Sequence, residues 1–253
     1  MKVVGIIPVR MAASRFPGKP LAKINGIPMV EHCYNNTKSA LGSENTYIAT
    51  CDVEIKDYMK SIGGNVIITS NSHSRATTRT AEALEIIENK LKDKIEVVVM
   101  VQGDEPLILP KTIIDTLHTF NDKTVNIVNI MSTINTWDVF NDKNNVKVVV
   151  NNNNHALYFS REPIPSSWKG WEHLPKYLQT GIIAFRRDEL IRFNSIDETT
   201  LEQIESIDMN RVLENGGKIK MILTNYETLG VDTEEELLLA ERMMCEDIEN
   251  VKC

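Results

Sequence analysis

The chain has 253 residues, 42% hydrophobic and 25% charged, which is ordinary for a globular protein and enough for one large domain. A net charge of −7 argues against a general nucleic-acid or membrane-surface binder. The sequence lacks an apolar run of about 18 residues and an opening signal-peptide pattern, so we expect a cytoplasmic protein without a membrane span. The four cysteines lack CxxC spacing, and reduced thiols are expected.

Strand and helix patterns alternate through the first half of the chain. Continuous apolar runs predict strands at residues 3–8, 45–50, 65–69 and 95–102. Apolar residues at helical spacing predict helices at 27–40, 53–63, 80–91 and 109–120. Buried strands separated by amphipathic helices indicate a parallel sheet covered on both faces.

Beyond about residue 125 the pattern changes, and strands follow one another with little helix between them. Strands are predicted at 125–134, 146–150, 155–160, 179–187 and 218–224, and helices at 201–217 and 233–248. The predicted fold class is therefore α/β, with a mostly parallel central sheet, helices on both faces and a mixed or antiparallel extension. We expect one domain over residues 1–253.

A cationic loop, "VRMAASRFPGKPL", directly follows the first predicted strand. It carries Arg10, Arg15 and Lys19 among small residues and a Pro-Gly pair. Backbone amides in such loops can approach a phosphate closely, and three cations suit several phosphates. A basic surface loop is the alternative, and the loop alone leaves both interpretations open.

Two acidic residues also follow predicted strands, where open parallel sheets bind their ligands. They are Asp104 in "VQGDEP" and Asp232 in "GVDT". Paired carboxylates beside a triphosphate are suited to Mg²⁺, which prefers a few carboxylates plus phosphate oxygens. Each aspartate taken singly fits a helix N-cap better, since both precede predicted helices.

Taken together, these segments resemble the CMP-Kdo synthetases, which are 3-deoxy-manno-octulosonate cytidylyltransferases. The resemblance runs from about Lys2 to Met244, and the segments that carry it are "IIPVRMAASRFPGKPLAKINGIPMV", "VQGDEP", "NNVKVVV", "ALYFSREPIP", "RVLENG" and "GVDTEEEL". It implies a nucleotidyltransferase, usually a homodimer, that transfers CMP from CTP to an acceptor and releases pyrophosphate. It also implies a dimerisation and acceptor-side subregion at about 125–195.

The resemblance further implies roles for individual residues. The implied catalytic residues are Arg10, Arg15, Lys19 and Asp104. Asp104 and Asp232 are the implied Mg²⁺ ligands. The implied nucleotide-binding residues are Arg10, Ala12, Ser14, Lys19, Arg79 and Gln102. Those implied on the acceptor side are Arg15, Gln102 and Arg161.

Departures from the family pattern fall mostly on the acceptor side. The family's His-x-Gly-x-Tyr is replaced by "QTGII", with Gln179 and Ile183 at the two polar positions. A Glu-Gln pair is replaced by Asp208 and Met209. We assign all four to the acceptor site, where Ile183 and Met209 would leave sugar hydroxyls without partners.

A second departure lies in "HSRATTR", residues 73–79. Arg75 stands where the family has serine, and Thr78 stands where it has an acid, a change of about two charge units. If this loop faces the active site, Arg75 joins the acceptor site and favours an acceptor with a phosphate or phosphonate group. An Arg75 that points to solvent is the alternative, and the role of His73 is left open.

We predict an Mg²⁺-dependent cytidylyltransferase whose product serves a surface polysaccharide, either capsule or lipopolysaccharide. The acceptor is an anionic small molecule: Kdo, another sugar acid, a phosphonate, or a phosphorylated amino acid such as glutamine phosphate. The sequence does not strictly separate CTP from UTP. A nucleotide-sugar glycosyltransferase and a non-catalytic nucleotide-binding regulator are alternatives. The cationic loop argues against the first, and the pair Asp104 and Asp232 argues against the second.

Overall fold

The structure is a computed structural model, which describes residues 1–12, 16–226 and 228–250, with side chains described as far as residue 245. The chain divides into two compact units. The first comprises Met1–Ile114 and Thr228–Cys253, and the second comprises Asp115–Glu227. The single domain over 1–253, the subregion at 125–195 and the homodimer stay predictions.

The first unit is built on strands β1 (Val3–Pro8), β2 (Lys23–Ile24), β3 (Ile27–Pro28), β4 (Thr46–Thr50), β5 (Asn65–Ile68) and β6 (Val97–Val101). Four of them form a parallel sheet in the order β6-β1-β4-β5, and β2 pairs with β3 in an antiparallel hairpin. Every residue of β4 and β6 is buried, as a sheet covered on both faces requires.

The second unit contains strands β7 (Ile127–Thr133), β8 (Lys147–Val150), β9 (Ala156–Ser160), β10 (Tyr177–Arg186) and β11 (Lys220–Leu223). β11 runs parallel to β7, whereas β7 with β10, β10 with β8 and β8 with β9 are antiparallel pairs. The predicted change from parallel to mixed pairing is therefore confirmed, and so is the α/β class with a mostly parallel sheet.

Nine α-helices occur in the described part of the chain: α1 (Met29–Leu41), α2 (Val53–Ser61), α3 (Ala76–Leu91), α4 (Pro110–His118), α5 (Trp137–Asn141), α6 (Arg187–Asn194), α7 (Thr200–Glu205), α8 (Asp208–Glu214) and α9 (Glu234–Asn250). Short 3-10 helices cover Lys19–Leu21, Ser43–Asn45, Thr119–Asn121 and Ser167–Lys169. None of the described helices has both the length and the apolar surface needed to span a bilayer.

The predicted single helix at 201–217 is wrong, because the chain breaks there into α7 and α8. Ser206 adopts a left-handed conformation (φ 53°), which ends α7 and reverses the chain direction. The reversal brings Arg211 on α8 back onto Glu202 on α7. The short helices α5 and α6 were missed because neither has enough turns to show a helical period.

A buried ion pair joins α7 to α8 across this break. The guanidinium of Arg211 donates two 2.6 Å hydrogen bonds to the carboxylate of Glu202 and also bonds the carbonyls of Phe193 and Ile196. Glu202 is fully buried and Arg211 is 3% exposed. Removing one partner of such a pair leaves the other charge buried without compensation.

We expect Glu202→Gln to lower the free energy of unfolding by about 3–5 kcal/mol, as measured by urea denaturation. The matched control is Glu162→Gln, which breaks a pair with Lys143 whose side chains are 71% and 61% exposed. This control substitution should lower the free energy of unfolding by less than about 1 kcal/mol, because solvent screens an exposed pair. Equal losses in the two variants would contradict the role assigned to the buried pair.

Candidate active site

A cavity of about 290 Å³ lies in the first unit, beyond the carboxyl ends of β1 and β6. Its wall is formed by the loops that follow these strands, the start of α3 and the segment before α9. The predicted residues on this wall are Arg10, Ala12, Lys19, Arg75, Arg79, Gln102, Asp104 and Asp232. The chain thus brings together residues from four separate sequence segments. Ser14 and Arg15 lie outside the described residues.

Lys19 is at the centre of this arrangement. Its ammonium donates to Asp104 Oδ2 at 2.7 Å, to Asp232 Oδ1 at 2.8 Å and to the carbonyl of Val231 at 3.0 Å. Burial alone would lower the pKa of Lys19, but the two carboxylates outweigh that effect and raise the pKa above its ordinary value. The side chain is therefore a permanent cation held between two acids.

The backbone holds the two aspartates in place. The N–H of Val231 donates to the carbonyl of Asp104 at 2.9 Å, and Val231 is fully buried beside Ile24 and Met29. Gly103 packs so closely that a Cβ there would lie 3.1 Å from Val9 Cβ. A side chain at position 103 would therefore press against Val9 and shift the backbone that carries Asp104.

The helix-cap interpretation of these aspartates is wrong. α4 begins only at Pro110, well beyond Asp104. At α9 the cap is Thr233, whose Oγ1 accepts the N–H of Glu236 at 3.2 Å, while the Glu236 carboxylate accepts the N–H of Thr233 at 2.9 Å. The Asp232 carboxylate points to Lys19 instead.

The carboxylates of Asp104 and Asp232 fit a divalent cation, because both already converge on one positively charged atom. Among the described residues, no group of three or more His, Cys, Asp or Glu side chains is placed to hold a metal. A cation here would therefore complete its coordination with water or ligand oxygens. Two carboxylates with phosphate oxygens are the donor set that Mg²⁺ prefers.

Arg79 is the most buried of the cationic residues on the cavity wall, at 3% exposed. Its Nη1 donates to Thr69 Oγ1 at 2.6 Å and to the carbonyl of Ser70 at 3.2 Å. Its Nη2 is buried without a hydrogen-bond partner in the described part of the chain. An unsatisfied buried donor costs about 1–3 kcal/mol, which an acceptor atom of a ligand would recover.

The turn before α3 does face the cavity, which was the condition for a role of Arg75. Arg75 occupies the N-cap position of α3 and lines the cavity, half-buried. Beside it, His73 Nδ1 lies 3.0 Å from Thr78 Oγ1, and His73 Nε2 lies 2.5 Å from Glu82 Oε2. Thr78, which replaces the family's acid, thus helps to hold His73 on the cavity wall.

Asp52 was missed by the sequence analysis, although it fixes the cationic loop. Its Oδ2 accepts the N–H of Met11 at 2.8 Å, and the carbonyl of Met11 accepts the N–H of Gly18 at 3.1 Å. Gly18 has a left-handed conformation (φ 77°) and directly precedes Lys19. A chain of contacts therefore runs from Asp52 to Lys19. The only sequence signal for it was an acid after a predicted strand.

Arg161 lies in the second unit, in a cluster of backbone carbonyls. Its guanidinium donates to the carbonyls of Glu205 at 2.7 Å and Lys143 at 3.0 Å. Its own carbonyl accepts from Lys147, a fully buried lysine whose ammonium also bonds the carbonyls of Asp142 and Asn145. These contacts indicate that Arg161 stabilises the surrounding backbone. Its role in acceptor binding stays a prediction.

The other predicted acceptor residues also lie in the second unit. Gln179 Nε2 donates to Asn129 Oδ1 at 2.6 Å, and Asp208 is the half-buried first residue of α8. Ile183 is 2% exposed and Met209 is fully buried, so both side chains are enclosed by protein. Their burial removes the argument that they face sugar hydroxyls, and their place in an acceptor site stays a prediction.

Comparisons with known proteins agree with one another. Residues 4–221 match the cytidylyltransferase family. The chain is 39% identical over 246 residues to the 3-deoxy-manno-octulosonate cytidylyltransferase of Parabacteroides distasonis, covering 94% of this chain and 96% of that one. It is 37% identical over 250 residues to the 8-amino-3,8-dideoxy-manno-octulosonate cytidylyltransferase of Shewanella pealeana, covering 98% and 100%.

Two solved structures also resemble the chain in fold. A CMP:2-keto-3-deoxy-manno-octonic acid synthetase complexed with CTP matches with a TM-score of 0.85 and 32% identity, covering 98% of this chain and 100% of that one. A putative glucose-1-phosphate thymidylyltransferase from Bacillus anthracis matches with a TM-score of 0.67 and 16% identity, covering 95% and 94%. At that identity the second match shows a shared fold alone.

We expect Asp52→Ala to weaken CTP binding about tenfold, because the cationic loop loses the charge-assisted bond that fixes Met11. Titration calorimetry with CTP measures the change. Asp57→Ala is the matched control, since Asp57 lies on α2, is 64% exposed and pairs only with its neighbour Lys56 in the described structure. Unchanged CTP affinity in Asp52→Ala would show that the loop does not depend on this carboxylate.

Proposed function

The chain belongs to the cytidylyltransferase family and is a nucleotidyltransferase, and we propose that it transfers CMP from CTP to a small anionic acceptor with release of pyrophosphate. The observation that carries the proposal is the Lys19 ammonium held between Asp104 and Asp232 on the wall of one cavity. This arrangement supplies both a phosphate-binding cation and two carboxylates for a metal.

The charge of the cavity supports a triphosphate ligand. Its described wall carries four cationic side chains, Arg10, Lys19, Arg75 and Arg79, and two carboxylates. Four positive and two negative charges leave a surplus of two positive charges, which favours an anion. Exposed Arg10 is available to the outer phosphates, whereas buried Arg79 offers Nη2 to an acceptor atom of the nucleotide. A diphosphate sugar would use fewer of these groups, so the glycosyltransferase alternative is less well supported.

We propose that Asp104 and Asp232 hold Mg²⁺ when CTP binds, with Lys19 turning from the carboxylates to the phosphates. The metal would neutralise charge on the departing pyrophosphate. Lys19 and Arg10 would then stabilise the negative charge that develops on the β- and γ-phosphates as the acceptor oxygen attacks the α-phosphate in line. The two carboxylates also argue for an enzyme over a regulator that only binds nucleotide.

For the acceptor, we propose a compound that carries a phosphate or phosphonate group. The support is Arg75, which lines the same cavity as Gln102 and Asp104, and which replaces a serine in the family pattern used in the sequence analysis. A guanidinium binds a dianionic phosphate in a bidentate manner, whereas a carboxylate carries half that charge.

A Kdo-type sugar acid is the second candidate acceptor. It is supported by the relatives named above, which are 37–39% identical over nearly the whole chain and are named for manno-octulosonates. Burial of Ile183 and Met209 also removes one argument against a sugar. With either acceptor, the cytidylylated product would serve the synthesis of a surface polysaccharide, such as lipopolysaccharide.

We expect Lys19→Met to reduce kcat/KM for CTP by one or more powers of ten, since a charge-assisted phosphate contact is lost. Asp104→Asn and Asp232→Asn should each remove most turnover and weaken Mg²⁺ binding, measured separately by calorimetry with the metal. The assay is pyrophosphate release. Glu234→Gln, at the exposed start of α9 beside Asp232, is the matched control and should behave as wild type. Full activity in Asp232→Asn would contradict the metal role.

The acceptor proposal predicts that a phosphorylated compound gives a higher kcat/KM than Kdo in the same assay. Arg75→Ser, which restores the family's residue, should reduce kcat/KM for the phosphorylated acceptor by roughly tenfold and leave that for Kdo nearly unchanged. The difference arises because only the dianion uses the additional guanidinium. Efficient use of Kdo, indifferent to Arg75, would show that the sugar acid is the acceptor.

A further inference from the structure

A second cavity, of about 340 Å³, lies wholly in the second unit and shares no residue with the first. It is bounded by the start of β7, by His155 before β9, by α6 and by the turn between α8 and β11. The sequence analysis assigned no site residue to any of these segments, although part of the wall falls within the predicted dimerisation and acceptor-side subregion at 125–195. A cavity of this volume accommodates a small molecule.

The wall of this cavity is strongly cationic in a protein whose net charge is −7. It carries Arg192, Lys218, Lys220 and His155, and its one acidic side chain is Glu189. Glu189 is already paired with Arg192, whose Nη1 lies 3.0 Å from Glu189 Oε1. Three permanent cations against one carboxylate leave a surplus of two positive charges.

Nearby groups in the described structure leave part of this charge unbalanced. Lys220 donates to the carbonyl of Asn153 at 2.7 Å, which is a neutral partner. Asp122, a carboxylate outside the cavity wall, accepts the N–H and the hydroxyl of Thr124 at 2.8 and 2.7 Å. Neither the Lys218 ammonium nor the His155 ring has a hydrogen-bond partner among the described residues.

The electrostatics at His155 agree with this charge distribution. Burial, and then the charges of Lys220 and Lys218, lower the pKa of His155 below its ordinary value. The second and third of these causes are the positive charges of two lysines on the same cavity wall. An anion bound between these three side chains would reverse the effect and raise the pKa.

We propose that this cavity binds the phosphate group of a small phosphorylated molecule. Lys218, Lys220 and His155 supply donors to the phosphate oxygens, and the dianion balances the surplus of two positive charges. Charge-assisted bonds of this kind favour a phosphate over a singly charged carboxylate. The remaining volume accommodates the organic part of the molecule. The proposal does not depend on the transfer reaction, because the residues of the two cavities are different.

The test is NMR titration of the histidine ring signals with inorganic phosphate at about pH 8, where phosphate is largely a dianion. The chain has five histidines, and His155→Asn assigns the signal. We expect a saturable shift of the His155 signal and a rise of its pKa by ~0.5 unit or more. Sodium chloride at matched ionic strength should produce neither change.

Lys218→Gln combined with Lys220→Gln should weaken phosphate binding at His155 by tenfold or more. The matched control combines Lys60→Gln and Lys169→Gln, which remove the same charge from two exposed lysines outside the cavity. His73 lines the first cavity, so its NMR signal reports phosphate binding there and distinguishes it from binding at His155. Phosphate that shifts His73 but not His155, or equal binding by the double variant and wild type, would overturn the proposal.

Discussion

The candidate site depends on one interaction, the ammonium of Lys19 held between the carboxylates of Asp104 and Asp232. Two carboxylates that converge on one point repel each other, and the Lys19 ammonium between them offsets this repulsion. Asp104 lies 85 positions after Lys19 in the chain, and Asp232 lies 213 positions after it. The contact therefore ties the first strand's loop, the loop after β6 and the segment before α9 into one site.

Contacts outside the three charged side chains hold this interaction in place. The bond from Val231 N–H to the Asp104 carbonyl fixes the two acids relative to each other, and burial of Val231 anchors it to the core. On the opposite side, Asp52 fixes the loop that carries Lys19 through Met11. Such support gives this site of mixed charges a defined geometry.

The positions at which the sequence analysis found departures from the family pattern have different structural surroundings. Arg75 and Thr78 lie at the start of α3, where Arg75 lines the cavity and Thr78 contacts His73, so substitution there alters the charge presented to a ligand. Ile183 and Met209 lie in the core of the second unit, where substitution alters packing. Arg75 therefore bears more directly on the proposed acceptor than Ile183 and Met209 do, because it lies on the cavity wall.

The sequence by itself determined the strands and most helices, because uninterrupted apolar runs and helical spacing are local properties of the chain. It also placed Lys19, Asp104 and Asp232 after predicted strands, where open parallel sheets bind their ligands, and the resemblance to the CMP-Kdo synthetases joined them into one predicted site. Only the tertiary structure decided what each residue contacts. The break at Ser206 brings Arg211 onto Glu202, and the role of Asp52 follows from its contact with Met11. The paired residues lie 9 and 41 positions apart in the chain, and neither periodicity nor residue type specifies their contacts.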